Sequence, residues 1–356
     1  MGNVSRRRFA QSLIAMVAAQ AALGRISLAH SEDMSSKVRP RRIDVHHHIL
    51  PPEYVSAVGE TAVGAPAPNH AVPRWDVATS LSAMDRSGIA SAVVSVSAPG
   101  LLLSDPRKIV RLARACNQFS AQMVADHPTR YGMFASLPLP DVDASLIELD
   151  YALDVLHAEG IILMTNYRDT YLGDPQFARI FDELNHRKAV VYVHPTVCSC
   201  NATVLPDNPS AMIEFPHDST RTITSLLFSG TFYRCPDIRF IFSHAGGTLP
   251  FLANRIARIA STDQRLAAKT PGGAIPAFQR LYYDTAASAN PMSFGALLKL
   301  VTPKNIVLGT DFPFIPEAGM RAAVSGLHEL GLDEDSVRAI EGENAAALFP
   351  RLGAAI

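Results

Sequence analysis

From residue 41 onward the chain alternates short apolar, β-rich runs with longer segments of helical spacing. The runs fall at 43–46, 91–96, 131–136, 160–164, 190–194, 239–243, 281–284 and 305–309. Most are continuously apolar, the pattern of strands buried on both faces of a parallel sheet. Helical periodicity occupies 77–87, 105–126, 144–158, 174–187, 219–234, 249–265, 292–300 and 316–330. Eight strand-then-helix units predict a closed (β/α)8 barrel of the TIM type. An open doubly wound sheet is the rival, but it normally carries a glycine-rich phosphate loop after strand one. Here that place holds Val45-His46-His47-His48. Two long segments, 59–76 and 198–217, leave C-terminal strand ends, where barrel sites form, and are candidate lids.

The first 40 residues do not share this rhythm. Ser5-Arg6-Arg7-Arg8-Phe9 precedes an alanine-rich apolar stretch, and Ser27-Leu28-Ala29 supplies the small residues of a cleavage site. A positive start, a modest apolar stretch and small residues form an export signal. The paired arginines resemble a twin-arginine signal, which implies a periplasmic address. Gln20 and Gly24 interrupt the apolar stretch, so no stable membrane span is expected. The predicted organisation is a signal over 1–30, a linker over 31–40 and one barrel domain over 41–356.

With 356 residues, 48% of them hydrophobic, the chain can bury a large core. A formal net charge of -1 lacks the basic excess of a nucleic-acid partner. Four cysteines are too few for a disulfide scaffold, and Cys198 and Cys200 read as small buried thiols in a loop.

Chemistry enters through the strand tips. His46 and His48 are two apart on strand one, so both side chains face the same way, into the barrel mouth. His47 faces the helices, where a polar neighbour can satisfy it. His194 ends the fifth run, His244 the sixth and Asp311 the eighth. Polar residues at the tips of several strands are how barrels assemble a site. Three imidazoles and a carboxylate, without thiolate, suit Zn2+, and the same donors also serve Mn2+ or Fe2+. A binuclear barrel would need a bridging lysine on strand four, which here reads Gly160-Ile161-Ile162-Leu163-Met164, so a single ion is expected.

These residues resemble the amidohydrolase superfamily, in particular its non-oxidative decarboxylases acting on aminocarboxymuconate semialdehyde, γ-resorcylate and 6-methylsalicylate. The opening from Ile43 to Pro52 is most similar to the 6-methylsalicylate type. Val193-His194-Pro195, Ser243-His244-Ala245-Gly246-Gly247 and Leu308-Gly309-Thr310-Asp311-Phe312-Pro313-Phe314 match the same family in the same order. The resemblance spans nearly all of 41–350. It implies His46, His48, His194 and Asp311 as metal ligands and His244 as the acid/base beside them. It also implies Arg255 as a grip on substrate carboxylate, in some relatives from a neighbouring subunit, and hence a two-fold dimer. On the residues alone, an arginine on the helix after strand six is more often a solvated or interface residue.

The expected reaction is loss of CO2 from an aromatic or enol-like carboxylic acid, with Asp311 and His244 as proton donors and acceptors. Trp75, Phe215 and Phe314 are candidate walls of an aromatic slot. The charged residues of 214–221, expected on a loop, are candidates for substrate contact or loop anchoring. Two rival readings stand. One is a metal-dependent hydrolase of a lactone, ester or amide on the same barrel, and the other a non-catalytic metal-binding protein.

Overall fold

A computed structural model describes residues 41–67, 69–101, 103–201 and 208–354. The proposed signal and linker lie outside the described residues.

Eight parallel strands pair in chain order. They are β1 (Arg42–Ile49), β2 (Ile89–Val96), β3 (Tyr131–Ser136), β4 (Gly160–Met164), β5 (Val190–His194), β6 (Arg239–Phe242), β7 (Tyr282–Asp284) and β8 (Ile306–Val307). The ring closes between the first and last strands. Val45 N–H donates to Leu308 O at 2.9 Å, Asp311 N–H to His46 O at 2.7 Å, and His48 N–H to Phe312 O at 2.7 Å. That seam excludes an open sheet, and the architecture is the predicted (β/α)8 barrel. Every residue of β3, β4, β5 and β7 except Tyr282 is buried, which is why these strands read as unbroken apolar runs.

Side chains fill the barrel. Phe134 lies flat against Tyr192, ring centroids 5.1 Å apart, and Phe349 meets Phe134 edge-on from the C-terminal segment. The outer helices start where the sequence offers a short acceptor. Asp76 caps Val77–Ser87 through Thr79 N–H, Asp105 caps Pro106–Asp126, and Asp141 caps Val142–Asp150.

Several boundaries differ from expectation. The helix predicted over 144–158 is Val142–Asp150 followed by a π turn, Tyr151–Val155. The helix expected from 219 begins at Glu214, with Pro216 in its first turn, so 214–221 is helical rather than loop. Asp218 on that helix is fully buried and accepts from Asn166 Nδ2 at 2.9 Å, the Tyr171 hydroxyl at 2.5 Å and Thr165 Oγ1. It anchors the helix onto the segment that follows β4. The proposed lid over 59–76 contains a short helix, Glu60–Gly64. Cys198 and Cys200 form a disulfide, correcting the reading of two thiols; Cys116 and Cys235 are free and buried. Among the described residues no helix is long and apolar enough to cross a membrane.

Candidate metal centre

The strand period turns His46 and His48 inward and His47 outward, as expected. His47 is fully buried and holds Asp44 Oδ2 at 3.0 Å through Nδ1 and Ser80 Oγ at 2.8 Å through Nε2. Ser80 lies on the helix Val77–Ser87, so this imidazole pins helix to strand.

His46, His48 and His194 converge with Asp311 at the mouth. Ring centroids lie 4.8 Å apart for His46 and His48, 5.1 Å for His46 and His194, and 4.8 Å for His48 and His194. Asp311 Oδ1 lies 3.3 Å from His46 Nε2 and 3.2 Å from His48 Nε2. His244 closes the ring, its Nε2 3.3 Å from Asp311 Oδ2. One ligand atom from each of His46, His194, His244 and Asp311 fits within 4.8 Å of all the others, a grouping that could hold a metal ion.

The outer contacts of the rings decide what the inner atoms can do. His46 Nδ1–H donates to Asp284 Oδ2 at 2.8 Å and His194 Nδ1–H to Pro195 O at 2.8 Å. His48 Nδ1 sits 3.3 Å from Ser95 O. A carboxylate or carbonyl can only accept, so each Nδ1 keeps its proton and each ring, when neutral, presents an Nε2 lone pair inward. His46 Nε2 and His48 Nε2 are only 3.0 Å apart, with the Asp311 carboxylate beside both. Lone pairs crowded in that way repel unless a proton on His46 or a metal cation stands among them. The residues therefore fit a divalent ion with nitrogen and oxygen donors.

The electrostatics of the cluster point the same way. Burial opposes charge on His46, but Asp284 and Asp311 outweigh it and raise its pKa to about 10. Burial lowers His48. Burial, with His48 and His46 adding to it, takes His194 well below the usual histidine range. For Asp311 burial favours protonation, yet His46, His244 and His48 hold it well below the usual carboxylate range. The pocket thus concentrates one positive charge where an ion would sit.

Two residues of the site do not stand out in the sequence. Asp284 ends β7 and is fully buried. Besides His46 it accepts from the Tyr192 hydroxyl, His244 N–H and Ala286 N–H at 2.8, 2.8 and 3.0 Å. Asp44 on β1, also fully buried, accepts from His46 N–H and Thr310 N–H at 3.0 Å each. Both are carboxylates on strands with site residues, the signal that draws attention to Asp311. Gly309 makes room for this crowding, since a Cβ there would come within 2.9 Å of both Asp284 Cγ and His46 Cβ.

His244 and Asp311 both stand just past their strands in left-handed backbone, φ 53° and 61°, and Ala245 follows at 56°. Such conformations cost of order 1–3 kcal/mol each and gather at functional sites. Gly247 completes the β6 turn where a Cβ would strike Pro216 O at 2.0 Å.

A cavity of about 540 Å3 opens over this cluster. His194, His244 and Asp311 form its floor, and Ala67, Phe215, Phe251, Met292, Phe314 and Ile315 are among its walls. Phe215 meets His194 edge-on at 5.9 Å and Phe314 meets His48 at 5.7 Å. Trp75 is not part of this wall; it packs against Phe119, centroids 6.1 Å apart. Arg255 is likewise outside, exposed on the helix Leu249–Thr262 and beside a separate shallow groove. Among the described residues the cavity wall holds no Lys, Arg or Glu.

Comparison with known proteins agrees with this architecture. The chain is 39% identical over 325 residues to decarboxylase yanB of Aspergillus niger, covering 87% of this chain and 88% of that one. It is 35% identical over 315 residues to the 6-methylsalicylic acid decarboxylase of Penicillium expansum, covering 87% and 97%. A crystal structure of a dihydroxybenzoic acid decarboxylase from a Polaromonas species, with bound manganese and 2-nitroresorcinol, shares the fold. Its TM-score is 0.73 at 21% identity, covering 87% of this chain and 97% of that one. The amidohydrolase family matches residues 43–351, nearly the whole described domain, and this chain belongs to it.

Proposed function

We propose that this protein is a metal-dependent, non-oxidative decarboxylase of an aromatic carboxylic acid of the 6-methylsalicylate type. His46, His48, His194 and Asp311 hold its single ion, and His244 is the acid/base. The observation that carries the assignment is the convergence of the inward Nε2 atoms of His46 and His48 on the Asp311 carboxylate, with the His194 ring beside them, beneath a cavity wall without Lys or Arg among the described residues. Relatives at 35–39% identity named as decarboxylases support the reaction class. Zn2+ is the ion proposed from the donor set, and Mn2+ or Fe2+ would meet the same donors.

When bound, the ion supplies Lewis-acid charge to the substrate carboxylate and an adjacent hydroxyl oxygen. Among the described residues the wall holds no Lys or Arg to compete for that carboxylate. Phe215 and Phe314 flank the ring and keep water from it. His244 Nε2, against Asp311 Oδ2 at 3.3 Å, holds the proton to be delivered to the ring carbon bearing the carboxylate. That protonation makes the ring an electron sink. The C–C bond then breaks, its electron pair restores the aromatic ring, and CO2 leaves. Acid in and arene plus CO2 out balance with one proton and no redox partner.

Metal-loaded protein given 6-methylsalicylate should release CO2 and 3-methylphenol, and chelation should stop it. Turnover of lactones or esters with no CO2 from any hydroxybenzoate would instead assign the hydrolase reading.

Two outer features belong to the same proposal. Residues 1–30 direct export by the twin-arginine route to the periplasm, so a chain lacking them should stay in the cytoplasm. A two-fold dimer is supported by Phe251, Arg255 and Ile259, spaced four apart on one exposed helix face, with Phe251 84% and Ile259 44% exposed. Sedimentation of wild type and Phe251→Asp tests it: the variant should be monomeric.

A further inference from the structure

Asp284 touches two functions at once. It sits at the tip of β7, beside β6, whose following turn bears His244, and its side chain reaches His46 on β1. Its Oδ2 accepts from His46 Nδ1–H and the Tyr192 hydroxyl, each at 2.8 Å. Its Oδ1 accepts from His244 N–H at 2.8 Å and Ala286 N–H at 3.0 Å. All four partners are donors, and the side chain is entirely buried. An ionised carboxylate has about four acceptor positions and no donor, so this site saturates it.

We propose that Asp284 is the positioning residue that couples ion binding to proton delivery. One oxygen fixes the ring and tautomer of the ion ligand His46, and the other holds the left-handed turn that aims His244 at Asp311. The inference rests on the ion and acid/base roles assigned above, and it goes beyond them. It states that the two groups are held by a single rigid anion and are not independently placed.

Neither half of the contact explains the residue alone. A carboxylate that merely oriented His46 would need one oxygen, and backbone N–H groups at a turn are commonly met by carbonyls. His244 and Ala245 have φ of 53° and 56°, a turn that a residue with a Cβ holds only under external constraint. The Oδ1 contact to the first of these N–H groups supplies it. Among the described residues His244 Nδ1 is buried without a hydrogen-bond partner, so the ring's aim rests on its Nε2 contact with Asp311 and on the backbone that Asp284 grips.

Asp284→Asn is the informative change, because an amide has one accepting oxygen and one NH2 donor. Whichever way the amide turns, its NH2 faces two donors, either His46 and Tyr192 or His244 and Ala286. Ion affinity, measured by competition with a chromophoric chelator, should fall about 10–100-fold. At saturating ion, kcat should also fall about tenfold or more with KM little changed.

A residue that only oriented the ion ligand would lose affinity yet recover wild-type kcat at saturating ion. That result overturns the coupling. Unchanged affinity overturns it as well. Wild-type protein with no dependence on any divalent ion would instead sink the ion assignment itself, a separately visible failure.

Should Asp284→Asn fail to fold, selectively 15N-histidine-labelled wild-type protein gives an independent reading by NMR. Both the His46 ring N–H and the His244 amide should shift on Zn2+ loading. A His244 amide that stays in place would refute the proposal.

Discussion

Binding of the ion should expel about one proton from the protein at pH 6.5. In the ion-free site the His46 pKa of about 10 leaves that imidazole protonated by roughly three thousand to one at this pH. His48 and His194, with lowered pKa values, are mostly neutral there, and Asp311, held well below the carboxylate range, is ionised. Coordination requires the neutral imidazole, so the His46 proton must leave and the others contribute little. The sign follows directly: apparent affinity rises with pH, about tenfold per unit, until pH approaches the His46 pKa. Working at pH 6.5 also keeps the contribution of ion-bound water small, since on Zn2+ it ionises near 7. Titration calorimetry in buffers of differing ionisation enthalpy yields the proton count as the slope of observed against buffer enthalpy. His46→Gln should bind more weakly and release close to none. Release of no proton by the wild type would refute the charge assignment of the cluster, and release of two would mean that His48 or His194 is protonated too.

Three further outcomes rest on individual side chains. His194→Ala should lower ion content and turnover together; full ion occupancy in the variant would remove it from the ligand set. His244→Asn should keep its ion and lose about 10²- to 10⁴-fold in kcat, the usual worth of a positioned acid/base, and an unchanged kcat would exclude His244 from proton transfer. Asp218→Ala strands the Thr165 and Tyr171 hydroxyls and the Asn166 amide beneath the site helix. It should cost about 2–4 kcal/mol in chemical denaturation, and a loss under 1 kcal/mol would contradict its anchoring role.

The barrel is legible because parallel strands covered on both faces must be apolar throughout, and that leaves a polar residue at a strand end conspicuous. His194 and Asp311 are visible in that way, and His46 and His48 through the two-residue period. Asp284 shows the same signal, yet nothing in a lone Asp at the end of Leu281–Tyr283 says that four donors converge on it. That convergence is tertiary, joining residues from β1, β5, the β6 turn and β7. The helix start at Glu214 is hidden by Pro216, which reads as a break although proline is tolerated in a first helical turn. The candidate aromatics divide by geometry. Phe215 and Phe314 come from segments that leave β5 and β8 over the mouth, whereas Trp75 turns toward Phe119. Arg255 points outward within one chain, and sequence spacing cannot say what lies beyond the molecular surface.

The closing seam has a consequence for biogenesis. Because β1 meets β8 where His46 and His48 meet Asp311, the ion clasps the beginning of the domain to its end. A growing chain has every histidine donor long before it has the carboxylate, because Asp311 follows the last strand of the ring. No fragment that stops short of β8 could assemble the proposed donor set, so acquiring the ion would certify that the ring has shut. On the proposed twin-arginine route, which carries cargo already folded, that would make the ion a mark of readiness to depart.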